Sequence, residues 1–163
     1  MNKLKTIYQN QIGLKNFLLS SFALCLTSDL MQIFYAKKVW LSPSAFHIIF
    51  IKLLMVNQID PTTLSAQDIA EGEGVLYMTL WSILFVFVII NAIFYFMYWR
   101  RLKWGISYTK FLVITSALFT FLSLLKEMLQ PDIWTLFNLL QLIFYIYIWL
   151  GFIYFPDLKN SEQ

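Results

Sequence analysis

Residues 16–35, NFLLSSFALCLTSDLMQIFY, are long enough to cross a bilayer as a helix, yet Asp29 lies well inside them. At about 100° per residue, Ser21, Cys25, Ser28, Asp29 and Gln32 share one flank. Phe17, Leu24, Leu30 and Ile33 turn away from its centre. A carboxylate held against acyl chains is too costly to keep, so this flank is expected to face other helices or water.

The rest of the chain has the same character. Of 163 residues, 60% are hydrophobic and 13% charged, and the mean hydropathy is +0.67. An apolar share above that of soluble domains, with so little charge, predicts an integral membrane protein whose first partner is the lipid bilayer. The sequence predicts an all-α polytopic membrane protein with one membrane domain, 1–163. Its four transmembrane helices are expected at about 16–36, 75–99, 106–126 and 133–155. The outer loop 37–74 is expected to carry a short interfacial helix. The net charge of +3 sits in small clusters beside the apolar runs, the pattern of topology signals, so no nucleic-acid partner is expected. The single cysteine, Cys25, rules out an intramolecular disulfide. The basic start followed by an apolar run resembles a signal peptide, but no A-x-A pattern follows, and it reads as a retained first span.

Within 37–74, Ser42, Pro43 and Ser44 signal a helix start before AFHIIFIKLLMV, which is too short to span and is interrupted by His47 and Lys52. Asp60 and Pro61 mark a turn, with Thr62 or Thr63 as a cap. The second run ends in a basic aromatic cluster, Trp99, Arg100, Arg101, Lys103 and Trp104, suited to a cytoplasmic headgroup layer. Four spans with the N-terminus inside put Lys3, Lys5, Lys15, Arg100, Arg101, Lys103, Lys110 and Lys159 inside. Lys37, Lys38, Lys52 and Lys126 are then outside. The expected location is a plasma or bacterial inner membrane with both termini cytoplasmic. The competing topology, with 39–57 as a fifth span, buries Lys52 and strands the leader lysines outside.

Depth follows from the rise of roughly 1.5 Å per residue. Thr109, Ser116, Thr120, Ser123 and Glu127 form one stripe on the third span, and Thr120 matches Asp29 in depth. Asn138 on the fourth span falls at the same level, with Gln141 one turn deeper. Ser82 matches on the second. The expected site is therefore a polar layer of Asp29, Gln32, Thr120, Asn138 and Gln141. It serves either as structural hydrogen bonding between helices or as the lining of an outward-opening cavity. A second set, His47, Lys52 and Asp60, is expected to form a contact surface in the outer loop.

No catalytic constellation assembles. Glycine-rich phosphate loops, HExxH and GxSxG are missing, and a lone His47 excludes paired-histidine haem ligation, so no cofactor or metal is expected. A lipid-directed enzyme using Asp29 with His47 lacks acid/base geometry, and the reading leans away from an enzyme.

DLMQ beginning at Asp29, the outer Asp60 and Pro61, and Lys103 with Trp104 before the third span together resemble the sterol-isomerase and sigma-2-receptor group of four-helix proteins. The resemblance implies that Asp29 and Asp60 would be a carboxylate pair for cationic amphiphiles. The second span lacks the acid that the group places there, with Ser82 near that level.

The expected function is binding: a small non-enzymatic accessory, assembly or immunity-type subunit of another membrane protein, or a self-associating one. The alternative is a transporter or channel component whose cavity around Asp29 takes a small solute, amphiphile or proton. The absence of an inverted repeat and of broken helices counts against a complete transporter. The topology has a direct check. A cysteine introduced at Asn2 is expected to resist a membrane-impermeant thiol reagent in intact cells and to react after permeabilisation; labelling in intact cells would favour the five-span arrangement.

Overall fold

The computed structural model describes residues 2–39, 41–129, 131–155 and 158, with Asn2 and Val39 as backbone only. Lys159, counted above on the inner side, lies outside them. The chain runs through α1 (Asn2–Thr6), a π-helical turn (Ile7–Ile12), α2 (Leu14–Val39), α3 (Pro43–Val56), a 3-10 turn (Pro61–Thr63), α4 (Ala66–Trp99), α5 (Lys103–Glu127) and α6 (Ile133–Tyr154). No strand occurs among the described residues. The helices α2, α4, α5 and α6 are long and apolar enough to cross a membrane.

Local chemistry sets the helix ends. Gly13 adopts φ 71°, which suits glycine, and separates the π turn from α2. Pro43 opens α3 where its missing N–H is not needed. The sequence placed a cap at Thr62 or Thr63 and the second span at about 75. In the structure Asp60 caps the 3-10 turn instead, and α4 begins nine residues before that point, at Ala66. Ser65 is the reason: its backbone N–H and hydroxyl donate to Asp68 Oδ2 at 3.0 and 2.6 Å, and the Asp68 N–H returns a bond to Ser65 Oγ at 3.2 Å. Asp132 starts α6 with a similar reciprocal pair to Thr135.

The turn from α4 to α5 is tight. Arg101 takes φ 60°, and the Leu102 N–H closes back on the Met97 carbonyl at 2.9 Å. A Cβ on Gly105 would overlap the backbone of Met97 and Tyr98, so only glycine lets α5 start this close to the end of α4.

The described residues form two compact units, one of residues up to Met31 together with those from Ile90 onward, the other Gln32–Ile89. In the first, α5 packs along α6, and the core is built from Phe17, Cys25, Tyr95, Tyr98, Val113 and Ile148 among others. Phe17, expected to turn outward, is fully buried. Two features cover it. Gly151 of α6 offers a notch in which any Cβ would overlap the Phe17 ring, and Tyr8 and Phe155 close over the other sides. Tyr8 donates to the Tyr147 carbonyl at 2.8 Å. Its burial, reinforced by Tyr147 and Tyr154, pushes the phenol up to about 12, so it stays a neutral donor.

In the second unit, α3 lies on the start of α4. Phe50 sits on Gly72, and Phe46 meets Tyr77 edge-on at 5.6 Å. Across both units large apolar side chains such as Phe34, Phe85, Phe111, Phe119 and Leu136 are exposed, while Ser21, Ser28, Asp29, Asn91, Thr109 and Gln141 are buried.

The Phe17 notch gives a test of the core. Phe17→Ala is expected to destabilise by about 3 kcal/mol, and Gly151→Val, which drives a branched side chain into the ring, by a similar amount. Thermal unfolding of the purified protein measures both; an unchanged melting temperature for Gly151→Val would mean that ring and glycine are not in contact.

Candidate functional site

Asp29 lies on α2 one turn beyond Cys25, on the flank that the first unit buries, and is 6% exposed. Its two carboxylate oxygens take different donors from α4. Asn91 Nδ2 donates to Oδ2 at 2.9 Å, and the Tyr95 hydroxyl donates to Oδ1 at 3.2 Å. The Asn91 carbonyl oxygen in turn accepts from the Tyr108 hydroxyl of α5 at 2.5 Å. Tyr108 is held for this by stacking on Phe94, with centroids 4.0 Å apart and planes 19° from parallel. From α6, Gln141 Nε2 donates to the Ser28 carbonyl at 3.0 Å, one residue before Asp29. One turn and more back along α2, Ser21 Oγ and the Tyr98 hydroxyl share a bond of 2.8 Å.

The α4 contribution has a simple origin. Asn91, Tyr95 and Tyr98 follow one another at four and three residues, so they form one stripe, and they are the buried residues of α4. Ser21, Cys25, Ser28 and Asp29 form the matching stripe on α2, as the sequence pattern predicted.

The expected layer is only partly assembled. Asp29 and Gln141 are buried within this region, and Thr120 is buried on α5. Asn138 is not a donor to Asp29; its amide nitrogen binds both carboxylate oxygens of Glu127, at 2.9 and 2.8 Å, across the α5–α6 connection. Gln32 is exposed. Ser82 is also exposed, its hydroxyl turned to the Met78 carbonyl of its own helix. Matching depths from helix ends failed because the two counts do not correspond: Asp29 stands ten residues before the end of α2, and its partner Asn91 stands twenty-five beyond the start of α4, nine residues past Ser82.

In the outer set, His47 Nδ1 and Glu73 Oε1 are 2.5 Å apart. Lys52 is exposed on α3. Asp60 Oδ1 accepts from the Thr62 N–H at 2.9 Å and hydroxyl at 2.8 Å. These bonds, the backbone one foremost, hold the Asp60 carboxyl below the usual carboxylate range. Of the three expected contact residues, His47 and Asp60 are thus engaged locally, and Lys52 is exposed.

Chemically, the Asp29 site is a carboxylate held by neutral donors, an amide and a phenol. Among the described residues, neither a second carboxylate nor a histidine hydrogen-bonds to it. Among the described residues no group of three or more His, Cys, Asp or Glu side chains could hold a metal ion.

No protein-family model, curated protein or solved structure matches this chain. The resemblance to the sterol-isomerase and sigma-2-receptor group gains no support from these comparisons. Its implied pair, Asp29 and Asp60, falls in different compact units.

The network predicts an ordering of variants. Asp29→Leu strands the Asn91 amide and the Tyr95 hydroxyl and is expected to destabilise by about 1–3 kcal/mol. Asp29→Asn, which keeps an acceptor, and Tyr108→Phe, which removes only the outermost donor, are expected to fall below that. Denaturation of the purified variants gives the ranking, and an Asp29→Leu protein as stable as the parent would remove the network from any structural role.

Proposed function

We propose that this chain is an integral membrane protein of four spans that acts by binding another membrane component, with the Asp29 network serving as an internal structural clasp. Four helices of sufficient length and apolarity support the membrane reading, as does a surface rich in large apolar side chains around an interior that also holds hydrogen-bonded polar ones. In this reading α3 lies at the outer interface, its exposed Ile48, Ile49 and Leu53 against lipid. Both termini are cytoplasmic, as the distribution of Lys and Arg indicates.

One observation carries the binding reading. The buried residues of α4 are confined to its last third, Asn91, Tyr95 and Tyr98. Ahead of them Val75, Met78, Ile83, Phe85, Val86 and Phe87 are all exposed. A shallow groove beside them is lined by Gly74, Thr79 and Ser82, whose small size allows a second helix to come close. The chain thus leaves one face of its longest helix between Val75 and Phe87, away from the contacts with α3, open to a neighbour, as an accessory or assembly subunit would.

The transporter alternative draws on one specific observation, the burial of Asp29 among neutral donors only. Against it stands the engagement of both carboxylate oxygens within the fold, which leaves no oxygen undirected for a solute.

Two measurements separate these readings. Purification in mild detergent is expected to bring a partner down in fixed stoichiometry, and the paired variant Thr79→Trp and Ser82→Trp, which fills the groove without adding charge, is expected to abolish it. Unaltered co-purification by that variant would sink the open-face reading. Asp29-dependent flux in reconstituted liposomes would replace it with the transporter.

A further inference from the structure

The second unit contains a cleft of about 640 Å³ lined by the last turn of α2, the start of α3 and the first turns of α4. Lys37 and Lys38 stand on its α2 side, and Leu41, Phe46 and Tyr77 make an apolar wall. Glu73 is the acidic residue of the lining, and its Oε1 is already taken by His47. The two ammonium groups therefore outnumber the carboxylate, and the cleft favours an anion. The start of α3 adds to this. Ser42, which lines the cleft, makes no side-chain cap, so the first N–H groups of this fourteen-residue helix are left without one.

We propose that this cleft holds the phosphate of an anionic lipid headgroup at Lys37 and Lys38, with the lipid chain along Leu41, Phe46 and Tyr77. Lysines draw the phosphate as point charges, while the apolar wall distinguishes a lipid from a free phosphate ion. The inference rests on the membrane reading above for the supply of lipid, but not on the binding face of α4, whose groove shares only Gly74 with the cleft.

The test uses the whole chain in a phosphate-free neutral detergent. Short-chain dihexanoylphosphatidylglycerol, kept below its micellar concentration, is titrated with thermal stabilisation as the readout, beside dihexanoylglycerol and inorganic phosphate. Saturable stabilisation by the phospholipid is expected, with little from the neutral lipid and weaker binding of phosphate alone. The double variant Lys37→Gln, Lys38→Gln is expected to weaken phospholipid binding by about tenfold or more. Ala70→Leu supplies an independent block, since Ala70 is exposed, lines the cleft and takes no part in the groove along α4. Parent-like melting of both variants without lipid confirms folding.

Parent-like phospholipid affinity in both variants, or equal stabilisation by dihexanoylglycerol, overturns the site. Inorganic phosphate binding as tightly as the phospholipid overturns its assignment to lipid. Failure of the membrane reading is read separately, by release of the protein from membranes in alkaline carbonate; the same titration then runs without detergent.

Discussion

The arrangement of the helices depends on one buried carboxylate and the amide that meets it. Asp29 of α2 needs donors, and α4 supplies them with Asn91 and Tyr95. Asn91 then needs a donor for its own carbonyl oxygen and finds it in Tyr108 of α5. Gln141 brings α6 to the adjoining backbone. Three helices, α4 and α6 directly and α5 through Asn91, are thereby tied to the same short stretch of α2. Each such bond contributes about 1 kcal/mol or less between membrane helices, so the network is weak as glue. Its effect is selective, because any other pairing of helices leaves a buried polar group without a partner.

Strength comes from close packing elsewhere. Gly105 lets the start of α5 touch the backbone of α4, and Gly151 admits the Phe17 ring into α6. Around that ring Tyr8, Tyr147, Tyr154 and Phe155 form an aromatic cluster that fixes the π turn against α6. Large faces meet where one side has no Cβ, and dispersion does the rest.

Much of this was legible in the residues, and the failures have definite causes. The buried flank of α2 followed from helical spacing, and Ser21, Cys25, Ser28 and Asp29 are all inside. Four long apolar helices, and a fifth short one after Pro43, followed from run length and start signals. Phe17 was misread because its burial is decided by Gly151, 134 residues further on, and by Tyr8, which the break at Gly13 turns back onto the ring. The partner of Asp29 was misassigned because depth was counted from helix ends, which do not correspond between α2 and α4: the acid is ten residues from the end of one and the amide twenty-five from the start of the other. A signal for Asn91 was present: a lone amide inside VFVIINAIF, with Tyr95 and Tyr98 following at helical spacing. Asn138 was drawn away by Glu127, the last residue of α5, which the short connection to α6 brings within reach of the amide.

The separation of Asp29 from Asn91 by 62 residues bears on how the chain is made. When α2 leaves the ribosome, its acid has no companion, and a lone carboxylate at the middle of an inserting helix is disfavoured by roughly 3 kcal/mol on translocon scales. At ordinary synthesis speeds of about 5–20 residues per second, Asn91 emerges some 3–12 s later. For a membrane-inserted chain, that cost is set against the apolar residues of α2, and the arrival of α4 with its amide and phenol relieves it.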